Sequence, residues 1–287
     1  MIQKSYEDGE AVYLIPTPIG NLDDITLRAI KVLEEVDVLF CEDTRVTALL
    51  LNHLNIKKKL ISSHKFNEDT NEKKLLKYLE EGKKIGIVSD RGTPIISDPG
   101  YILAKIAMNH GYRVIGLPGP TAFVPALIMS GLNPQPFYFY GFLHNKDSKR
   151  KEEMTKLKNF AHTMIFYEAP HRIKKTLQQM QEILGDRNIC IAREISKKFE
   201  TIYRGKFSDI LKLEDEMKGE IVLLVEGNAS EQTYQNLTII EHVNLYIKEG
   251  LTTMESIKRV SKDRGVNKKV VYDEYHNTKE KGWNSCI

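Results

Sequence analysis

The chain has 287 residues, of which 41% are hydrophobic and 28% charged, and its formal net charge at pH 7 is +3. This length allows two domains that each bury a core. The small net charge excludes a protein that binds nucleic acid through its overall field, so any such contact must come from local basic patches. The longest apolar run, residues 122–129, contains Pro125 and is far shorter than the roughly 20 residues of a membrane-spanning helix. The polar leader MIQKSYEDGE has no apolar export core. We therefore expect a cytoplasmic protein without a membrane partner.

The cysteines Cys41, Cys190 and Cys286 lie far apart and form neither a CxxC pair nor a cluster with histidines. This pattern predicts buried thiols, and it favours neither a disulfide framework nor a zinc site. No metal-ligand spacing occurs elsewhere, so we expect no metal.

Short apolar runs alternate with amphipathic segments in the first part of the chain. The segment 26–36 predicts a helix capped by Asp24 or Thr26, and the segment 71–81 predicts one that ends at Gly82. An alternating series of strands and helices predicts a mainly parallel sheet. The predicted strands are residues 11–16, 38–43, 59–64, 85–90 and 112–118.

The pattern changes after the Pro- and Gly-rich stretch 116–136, where strands are separated by only two long helices. This arrangement predicts a second α/β domain with a mixed sheet. A polar linker, 227–235, precedes a helical pattern that runs to about Tyr275. We therefore predict an N-terminal α/β domain at 1–118, a second at 119–228 and a small helical appendage at 229–287. The predicted strands of the second domain are residues 137–143, 162–167, 188–195, 201–207 and 220–226.

Three turn-rich loops, within 14–21, 85–101 and 116–122, each follow a predicted strand. Gly92 and Gly100 allow a ligand to approach the backbone closely, because they lack a Cβ atom. Carboxyl ends of parallel strands meet at one edge of a sheet, where open α/β sheets bind ligands. The chain contains no GxGxxG, Walker, GxSxG or HExxH motif, which argues against the common dinucleotide, nucleotide, hydrolase and zinc-protease sites.

Charged residues also follow the strands. The sequence CEDTR places Glu42, Asp43 and Arg45 together, either as a helix cap with a surface ion pair or as part of a polar cleft. Similar clusters at 62–68, 167–172 and 192–200 favour one shared cleft between two domains.

Seven blocks occur in order between residues 11 and 227: VYLIPTPIGNLDDITLRA, CEDTR, SDRGTPIISDPGY, LPGPTA, FYEAPHRI, REISKKFETIYRG and GEIVLLVEG. In these blocks the chain resembles the tetrapyrrole-methylase superfamily and, within it, the ribosomal RNA small subunit methyltransferase I family. The resemblance implies two α/β domains with S-adenosylmethionine in the cleft between them, usually in a homodimer. It also implies 2′-O-methylation of a cytidine ribose in 16S ribosomal RNA, with naked RNA or the assembled small subunit as substrate.

The resemblance in these blocks implies which residues of this chain contact the cofactor. Arg91 departs from the family, which usually has a small residue there, and it is expected to contact RNA phosphate, pair with Asp90 or Asp98, or crowd the adenosyl site. The residues expected at the cofactor are Pro16, Gly20, Ser89, Asp90, Arg91, Gly92, Thr93, Thr121, Ala122, Phe166 and Tyr167.

A ribose hydroxyl is a weak nucleophile and should lose its proton to a base as the methyl group moves. The sequence leaves that base open among the candidates Glu42, His64, Glu168 and Glu194. The flanking phosphates are expected to meet Arg45, Arg172 or Arg193.

Local basic patches at 57–59, 144–158 and 258–269 are further candidates for RNA contact, although solvated surface is the ordinary role of such runs. The last patch holds six Lys or Arg residues against one Asp. The predicted backbone-binding residues there are Lys258, Arg259, Lys262, Lys268 and Lys269.

Two other functions remain open on the sequence. A corrinoid or sirohaem methyltransferase would share the fold but should have an apolar substrate trough, which the CEDTR and YEAPHR blocks fit poorly. A non-catalytic RNA-binding protein with a lapsed cofactor site is the third reading, and Arg91 makes it conceivable.

Overall fold

The computed structural model describes residues 2–63, 68–213, 217–228, 237–248 and 250–283. Within these ranges the chain forms two five-stranded sheets flanked by helices, followed by a group of C-terminal helices. The predicted α/β class with a helical appendage is confirmed.

The first sheet is entirely parallel and has the strand order β3-β2-β4-β1-β5. The order places β4, β1 and β5 side by side, so the loops that follow these strands start at neighbouring positions along one sheet edge. The strands are β1 (Ala11–Leu14), β2 (Val38–Cys41), β3 (Lys59–Ser62), β4 (Lys84–Val88) and β5 (Arg113–Gly116). The helices are α1 (Leu27–Glu35), α2 (Thr44–His53), α3 (Glu68–Glu80) and α4 (Tyr101–Asn109).

Local signals set the ends of these helices. Thr26 caps α1, since its side-chain oxygen accepts a hydrogen bond from the Ala29 N–H at 3.0 Å. Gly82 has a φ of +75° just beyond α3, a conformation that costs glycine little. The strand β2 is shorter than predicted because Asp43 serves as the N-cap of α2.

The second sheet has the order β6-β7-β10-β8-β9 and is mixed: β6 and β7 are parallel, and the other pairs are antiparallel. Its strands are β6 (Phe137–Phe142), β7 (Thr163–Glu168), β8 (Asn188–Arg193), β9 (Thr201–Lys206) and β10 (Ile221–Val225). Its helices are α5 (Phe123–Ser130), α6 (Asp147–Lys156), α7 (Ile173–Leu184) and α8 (Phe207–Ile210).

Each face of the second sheet has its own core. Ala126 and Leu127 of α5 pack against Ile165, Cys190 and Leu224 on one face. On the opposite face, α6, α7 and α8 cover a second apolar cluster that includes Phe166. Burial on both faces accounts for the continuous apolar runs of β7, β8 and β10.

The C-terminal helices α9 (Ile239–Lys248), α10 (Thr253–Arg264) and α11 (Lys268–Trp283) bury a small core of their own. Thr252 and Glu255 form a capping box that starts α10. The core consists of Val243, Tyr246, Ile257, Val260, Val271 and Tyr275. In the part of the chain that is described, none of the helices has the length and apolar character needed to cross a membrane.

The thiols of Cys41 and Cys190 are buried, as predicted. Burial raises the pKa of Cys190 to about 11, so this side chain is an unreactive thiol at neutral pH. Cys286 lies outside the described residues.

Candidate active site

The three turn-rich loops at the carboxyl edge of the first sheet are joined by hydrogen bonds. Thr17 and Gly92 exchange two backbone hydrogen bonds of 2.9 and 3.0 Å. The Thr17 hydroxyl also donates to the carbonyl of Ser89 at 3.2 Å, and the Thr93 hydroxyl donates to the carbonyl of Pro120 at 2.9 Å. The loops after β1, β4 and β5 therefore form one connected rim.

Two glycines allow these loops to approach each other closely. A Cβ atom on Gly119 would lie 2.6 Å from Cβ of Pro16, so the first and third loops touch at a position that only glycine permits. Gly92 has a φ of +80°, and its Cβ would lie 3.2 Å from Cγ2 of Ile19. Pro16 is buried in this contact, so it supports the rim from behind.

The loop after β4 holds two residues in a conformation that side chains other than glycine rarely adopt. Ile95 has a φ of 77° and Ser97 a φ of 68°. Positive φ is unfavourable above all for a β-branched residue such as isoleucine. Such strain persists only where surrounding contacts impose it, and it is concentrated at ligand-binding sites.

A cavity of about 550 Å³ opens between the rim of the first sheet and the second sheet. Its volume lies within the range of small-molecule and cofactor sites. The first part of the chain contributes Ile19, Val46, Asp90, Arg91, Gly92, Thr93, Ile96, Ser97, Asp98, Thr121 and Ala122 to its lining. The second sheet and its loops contribute Phe142, Tyr167, Glu168, Ala169, Pro170, Ile195, Gly219, Glu220, Ile221 and Val222.

Most of the residues predicted at the cofactor line this cavity: Asp90, Arg91, Gly92, Thr93, Thr121, Ala122 and Tyr167. Ser89 lies beneath the loop, where its hydroxyl donates to the carbonyl of Gly92 at 3.2 Å. Gly20 is at the side, next to the stem of Lys197. Phe166 packs in the core on the opposite face of β7 from Tyr167, because side chains alternate along a strand.

Among the cavity residues that sequence reasoning missed are Ile19, Ile96, Asp98, Gly219 and Val222. All five belong to the seven blocks quoted above. Their position within those blocks was the available signal.

Arg91 forms an ion pair with Glu220, which lies just before β10. The pair therefore joins the loop of the first sheet to the second sheet across the mouth of the cavity. Lys197 extends the network, since its Nζ lies 2.7 Å from Oε1 of Glu194 and 2.9 Å from Oε2 of Glu220. This pairing of Arg91 with Glu220 replaces the expected partners Asp90 and Asp98.

Glu194 is fixed within that network. Burial alone would raise its pKa, but the hydrogen bonds from the Lys197 side chain and the Glu220 N–H, and the charges of Lys197 and Arg193, together lower the pKa. Its carboxylate is therefore ionised at neutral pH and bound to Lys197.

Glu168 is buried and accepts hydrogen bonds from the Ala169 N–H at 2.6 Å, the Thr176 hydroxyl at 2.8 Å and Nε of Arg172. Arg172 in turn donates to the side-chain oxygen of Asn145 and to a main-chain carbonyl. The structure thus places this predicted base and this predicted phosphate ligand against each other. Their contacts hold the loop that follows β7.

Tyr167 faces the cavity beside Thr121. Burial and the nearby charge of Asp98 raise the pKa of its hydroxyl, while hydrogen bonds to Thr121 and Phe123 oppose this effect. The phenol therefore stays protonated at neutral pH. Its ring packs edge-on against Phe139, with the ring centroids 5.1 Å apart.

The CEDTR block forms a helix cap with a surface ion pair, which is the first of the two roles predicted for it. The Asp43 carboxylate accepts from the Arg45 N–H at 2.8 Å and contacts the exposed Arg45 guanidinium at 2.6 Å. The hydrogen bond from the Arg45 side chain contributes most to lowering the pKa of Asp43 to about 2. The Asp43 N–H donates to Asp90 at 2.9 Å, which links α2 to the rim. Glu42 is half-buried, and Val46 is the residue of this region that lines the cavity.

The remaining predicted residues are dispersed. Arg193 donates to the carbonyl of Lys218 at 3.2 Å and to the hydroxyl of Thr201 at 3.1 Å. His64 lies outside the described residues. In the appendage, Lys258, Arg259, Lys262 and Lys269 are exposed and Lys268 is half-buried.

The other two basic patches include side chains with structural contacts. Lys58 donates to the carbonyls of Glu34 and Val36 at 2.6 and 2.7 Å. Arg150 is buried and donates to the side chain of Gln179 at 2.8 Å. Among the described residues, no group of three or more His, Cys, Asp or Glu side chains is placed to hold a metal ion.

The comparison with known proteins agrees with this architecture. The family model for Tetrapyrrole (Corrin/Porphyrin) Methylases matches residues 11–211. The ribosomal RNA small subunit methyltransferase I of Bacillus subtilis (strain 168) is 46% identical over 92% of this chain and 94% of its own length. The protein of the same name from Vibrio cholerae is 42% identical over 88% of this chain and 91% of its own. The chain belongs to the ribosomal RNA small subunit methyltransferase I family of tetrapyrrole methylases.

A solved structure supports the fold. The uroporphyrin-III-C-methyltransferase from Thermus thermophilus superposes with a TM-score of 0.56 at 19% identity, covering 80% of this chain and all of its own. At this identity it is evidence for the fold alone.

The methyl donor of this family is S-adenosylmethionine, and the cavity fits it. The donor carries a positive sulfonium, and the cavity is lined by the carboxylates of Asp90, Asp98 and Glu220. Ile19, Ile96 and Val222 supply apolar surface to the lining, which an adenine ring would require.

Proposed function

We propose that the chain transfers a methyl group from S-adenosylmethionine to the ribose 2′-hydroxyl of a cytidine in small-subunit ribosomal RNA. The observation that carries the proposal is a cavity of cofactor size beside three loops that are joined by hydrogen bonds. Relatives of this chain at 41–46% identity are named as small-subunit ribosomal RNA methyltransferases. Cytidine and the 2′ position follow from the family resemblance.

The bound cofactor supplies an electrophilic methyl group on a sulfonium. The protein then has to hold this group in line with the attacking oxygen and keep water out, which is catalysis by positioning. The rim suits this role because its main-chain hydrogen bonds fix Gly92 and its neighbours before any ligand binds. The ion pair of Arg91 with Glu220 closes the rim against the second sheet.

A proton acceptor for the 2′-hydroxyl has to reach the cavity. Among the predicted bases Glu42, His64, Glu168 and Glu194, only Glu168 belongs to the described cavity lining, and its two carboxylate oxygens already accept three hydrogen bonds within the chain. Asp90, Asp98 and Glu220 are the other carboxylates of that lining. We therefore include Asp98 in the set of candidate bases, since it lines the cavity and its charge acts on the Tyr167 hydroxyl.

RNA binding is assigned to the exposed cations of the C-terminal helices. Lys258 and Lys262 are spaced by four residues on α10 and so share one face of the helix. Lys269 extends the charge onto α11. Phosphate contacts of this kind position a nucleic acid without reading its sequence.

We also propose a homodimer. On α5, Val124 and Ile128 point outward one turn apart, and Ile128 is 74% exposed. Phe137, on the neighbouring strand β6, adds exposed aromatic surface. Contiguous exposed apolar surface beside a sheet is typical of an interface between subunits.

The decisive experiment uses small ribosomal subunits, and separately their naked RNA, from a strain that lacks the enzyme. The protein is incubated with S-adenosylmethionine labelled in the methyl group, and the labelled nucleotide is mapped after nuclease digestion. We expect label on one cytidine, with the adjacent phosphodiester resistant to alkali because a methylated 2′-oxygen cannot attack it. Label on a base, or on no RNA at all, contradicts the proposal. Calorimetry with S-adenosylmethionine tests the alternative of a non-catalytic RNA-binding protein, for which no heat of cofactor binding is expected.

A further inference from the structure

The strand β6 contains a bulge next to the active-site cavity. Phe139 pairs with Ile165 of the neighbouring strand β7. The next pair along the two strands is Gly141 with Phe166, so Tyr140 is an extra residue on β6. An extra residue reverses the alternation of side chains beyond it, and bulges often redirect a side chain beside an active site.

The side chain that this bulge redirects is Phe142. Tyr140 lies on the face of the sheet that α6, α7 and α8 cover, and its ring centroid is 5.5 Å from that of Phe166. Strict alternation would place Phe142, two residues further on, on the same covered face. Phe142 instead packs beside Tyr167 on the opposite face, with the ring centroids 5.5 Å apart. It thereby becomes part of the cavity lining, together with Tyr167.

The backbone at the bulge is suited to this arrangement. Gly141 has a φ of +81°, a conformation that side chains other than glycine rarely adopt. A Cβ atom at this position would lie 3.2 Å from Oγ of Ser97. Ser97 lines the cavity and has a positive φ of its own. The bulge of β6 therefore packs against the strained part of the loop after β4, and strain of this kind is concentrated at ligand-binding sites.

The exposure of Phe142 separates it from the other apolar residues of the lining. Ile19 and Val222 are buried, whereas Phe142 is 53% exposed. A site encloses most of the surface of a small-molecule cofactor, so the buried apolar residues suit the adenosyl group. Single exposed apolar side chains are common on proteins, but this ring is turned toward a cavity and away from a covered face by a bulge. Its exposed surface is available to a second ligand that enters from solvent.

The substrate of the proposed reaction requires such a contact. The target ribose has to enter the cavity while its phosphates stay joined to the rest of the RNA. The base of that nucleotide must then leave its stack and lie near the exposed part of the lining. Unstacked RNA bases are commonly bound on the faces of aromatic side chains.

We propose that the base of the methylated nucleotide stacks on Phe142, and that this contact positions its ribose for methyl transfer. The inference deepens the proposed RNA methylation and rests on it. Tyr167 supports the Phe142 ring from one side, and Phe139 packs against Tyr167 in turn. Stacking tolerates any base, since every base has a π-face. Phe142 therefore contributes affinity and position, and other groups choose the base.

Three substitutions of Phe142 separate stacking from packing. Phe142→Ala removes the side chain, Phe142→Leu keeps apolar bulk without an aromatic face, and Phe142→Trp keeps the face. With unmodified small subunits as substrate, Phe142→Ala and Phe142→Leu should lower kcat/KM by between about five- and 100-fold. Phe142→Trp should recover most of this loss. The Kd for S-adenosylmethionine should stay at the parental value in all three variants.

The matched control is Tyr138→Ala. Tyr138 is an aromatic residue of the same strand and is 41% exposed, but its ring packs against Phe160 and it is not part of the described cavity lining. This variant should keep the parental kcat/KM. Thermal denaturation followed by circular dichroism shows whether each variant is folded. If Phe142→Ala is unfolded, the difference between Phe142→Leu and Phe142→Trp decides the question.

Tryptophan fluorescence measures the contact directly. The chain has one tryptophan, Trp283. In a Trp283→Phe background, the emission of the Phe142→Trp variant therefore comes from position 142 alone. Addition of the unmodified small subunit or of its naked RNA, whichever is methylated, should quench this emission. Tyr138→Trp in the same background should show no quenching.

Three results would overturn the inference. The first is a parental kcat/KM in both Phe142→Ala and Phe142→Leu. The second is a rise in the Kd for S-adenosylmethionine that matches the fall in kcat/KM, which would assign the ring to the adenine of the cofactor. The third is equal quenching at positions 138 and 142. If the parental protein methylates no RNA, the proposed function itself fails, and that result is distinct from methylation that is insensitive to Phe142.

Discussion

Replacement of Gly92 by valine tests the cofactor site most sharply. Gly92 combines a φ of +80°, two backbone hydrogen bonds with Thr17 and a position in the cavity wall. A Cβ atom there would already lie 3.2 Å from Cγ2 of Ile19 and 3.6 Å from the carbonyl of Pro120. The two further carbons of valine must therefore displace Ile19 or enter the cavity.

The expected effect has two parts. A non-glycine residue in this backbone conformation costs roughly 1–3 kcal/mol of folding free energy. Occupation of the cavity should in addition weaken S-adenosylmethionine binding by about 100-fold or more, which corresponds to at least about 2.7 kcal/mol. Gly92→Ala should lie between the parent and Gly92→Val in both quantities.

The matched control is Gly82→Val. Gly82 has a similar φ of +75°, but its Cβ would meet no atom within 4 Å, and it lies at the end of α3. It should lose stability through backbone strain and keep the parental cofactor affinity. Affinity is measured by calorimetry and folding by thermal denaturation followed by circular dichroism. A folded Gly92→Val protein that binds S-adenosylmethionine with parental affinity would refute the assignment of this loop.

Four further predictions concern other parts of the molecule. Ile128→Asp should halve the molecular mass measured by light scattering, because it places a charge in the proposed dimer interface on α5. A parent protein that is already a monomer would contradict the homodimer. Arg91→Ala should lower the free energy of unfolding in urea by no more than about 1 kcal/mol, because the pair with Glu220 is largely exposed; a larger loss would show that the pair holds the two sheets together. Charge reversal at Lys258 and Lys262 should weaken RNA binding at every sequence while turnover at saturating substrate is preserved. The slope of the logarithm of the binding constant against the logarithm of salt concentration should fall by somewhat under about one unit per lost contact. An unchanged slope would mean that these helices have a structural role instead. In NMR titrations Asp43 should titrate with a pKa of about 2, below its ordinary 3.8, so its contribution to stability is complete above pH 3.8 and is lost as the pH falls toward 2. Arg45→Ala should return the pKa of Asp43 toward 3.8. An unchanged pKa in this variant would mean that the ion pair is absent in solution.

Periodicity was enough to predict both sheets. The alternation of apolar runs with amphipathic helices defines a parallel sheet, and the closely spaced strands after residue 136 define a mixed one. The Gly- and Pro-rich loops also predicted the edge at which the cavity lies, because carboxyl ends of neighbouring parallel strands converge. Strand alternation alone would have separated Tyr167, which faces the cavity, from Phe166, which faces the core.

The partners of charged residues could not be predicted in the same way. Arg172 is bound by Glu168, four residues earlier at the end of β7, and by Asn145 from a distant loop. Arg91 meets Glu220, which is 129 residues later in the chain. Long charged side chains reach whichever opposite charge the tertiary fold brings near, and a single sequence does not encode that distance locally.

The charged residues of the blocks thus serve mainly to hold the loops, and glycines, small hydroxyl residues and apolar side chains make up most of the remaining cavity lining. Glu168 with Arg172 fixes the loop after β7 beside the cavity, and Arg91 with Glu220 joins the two sheets across the mouth of the cavity. The chemistry fits this division, because an activated methyl group needs accurate placement more than it needs a further electrophile. It follows that changes to Glu168 or Arg172 should affect methyl transfer through the position of residues 169–171.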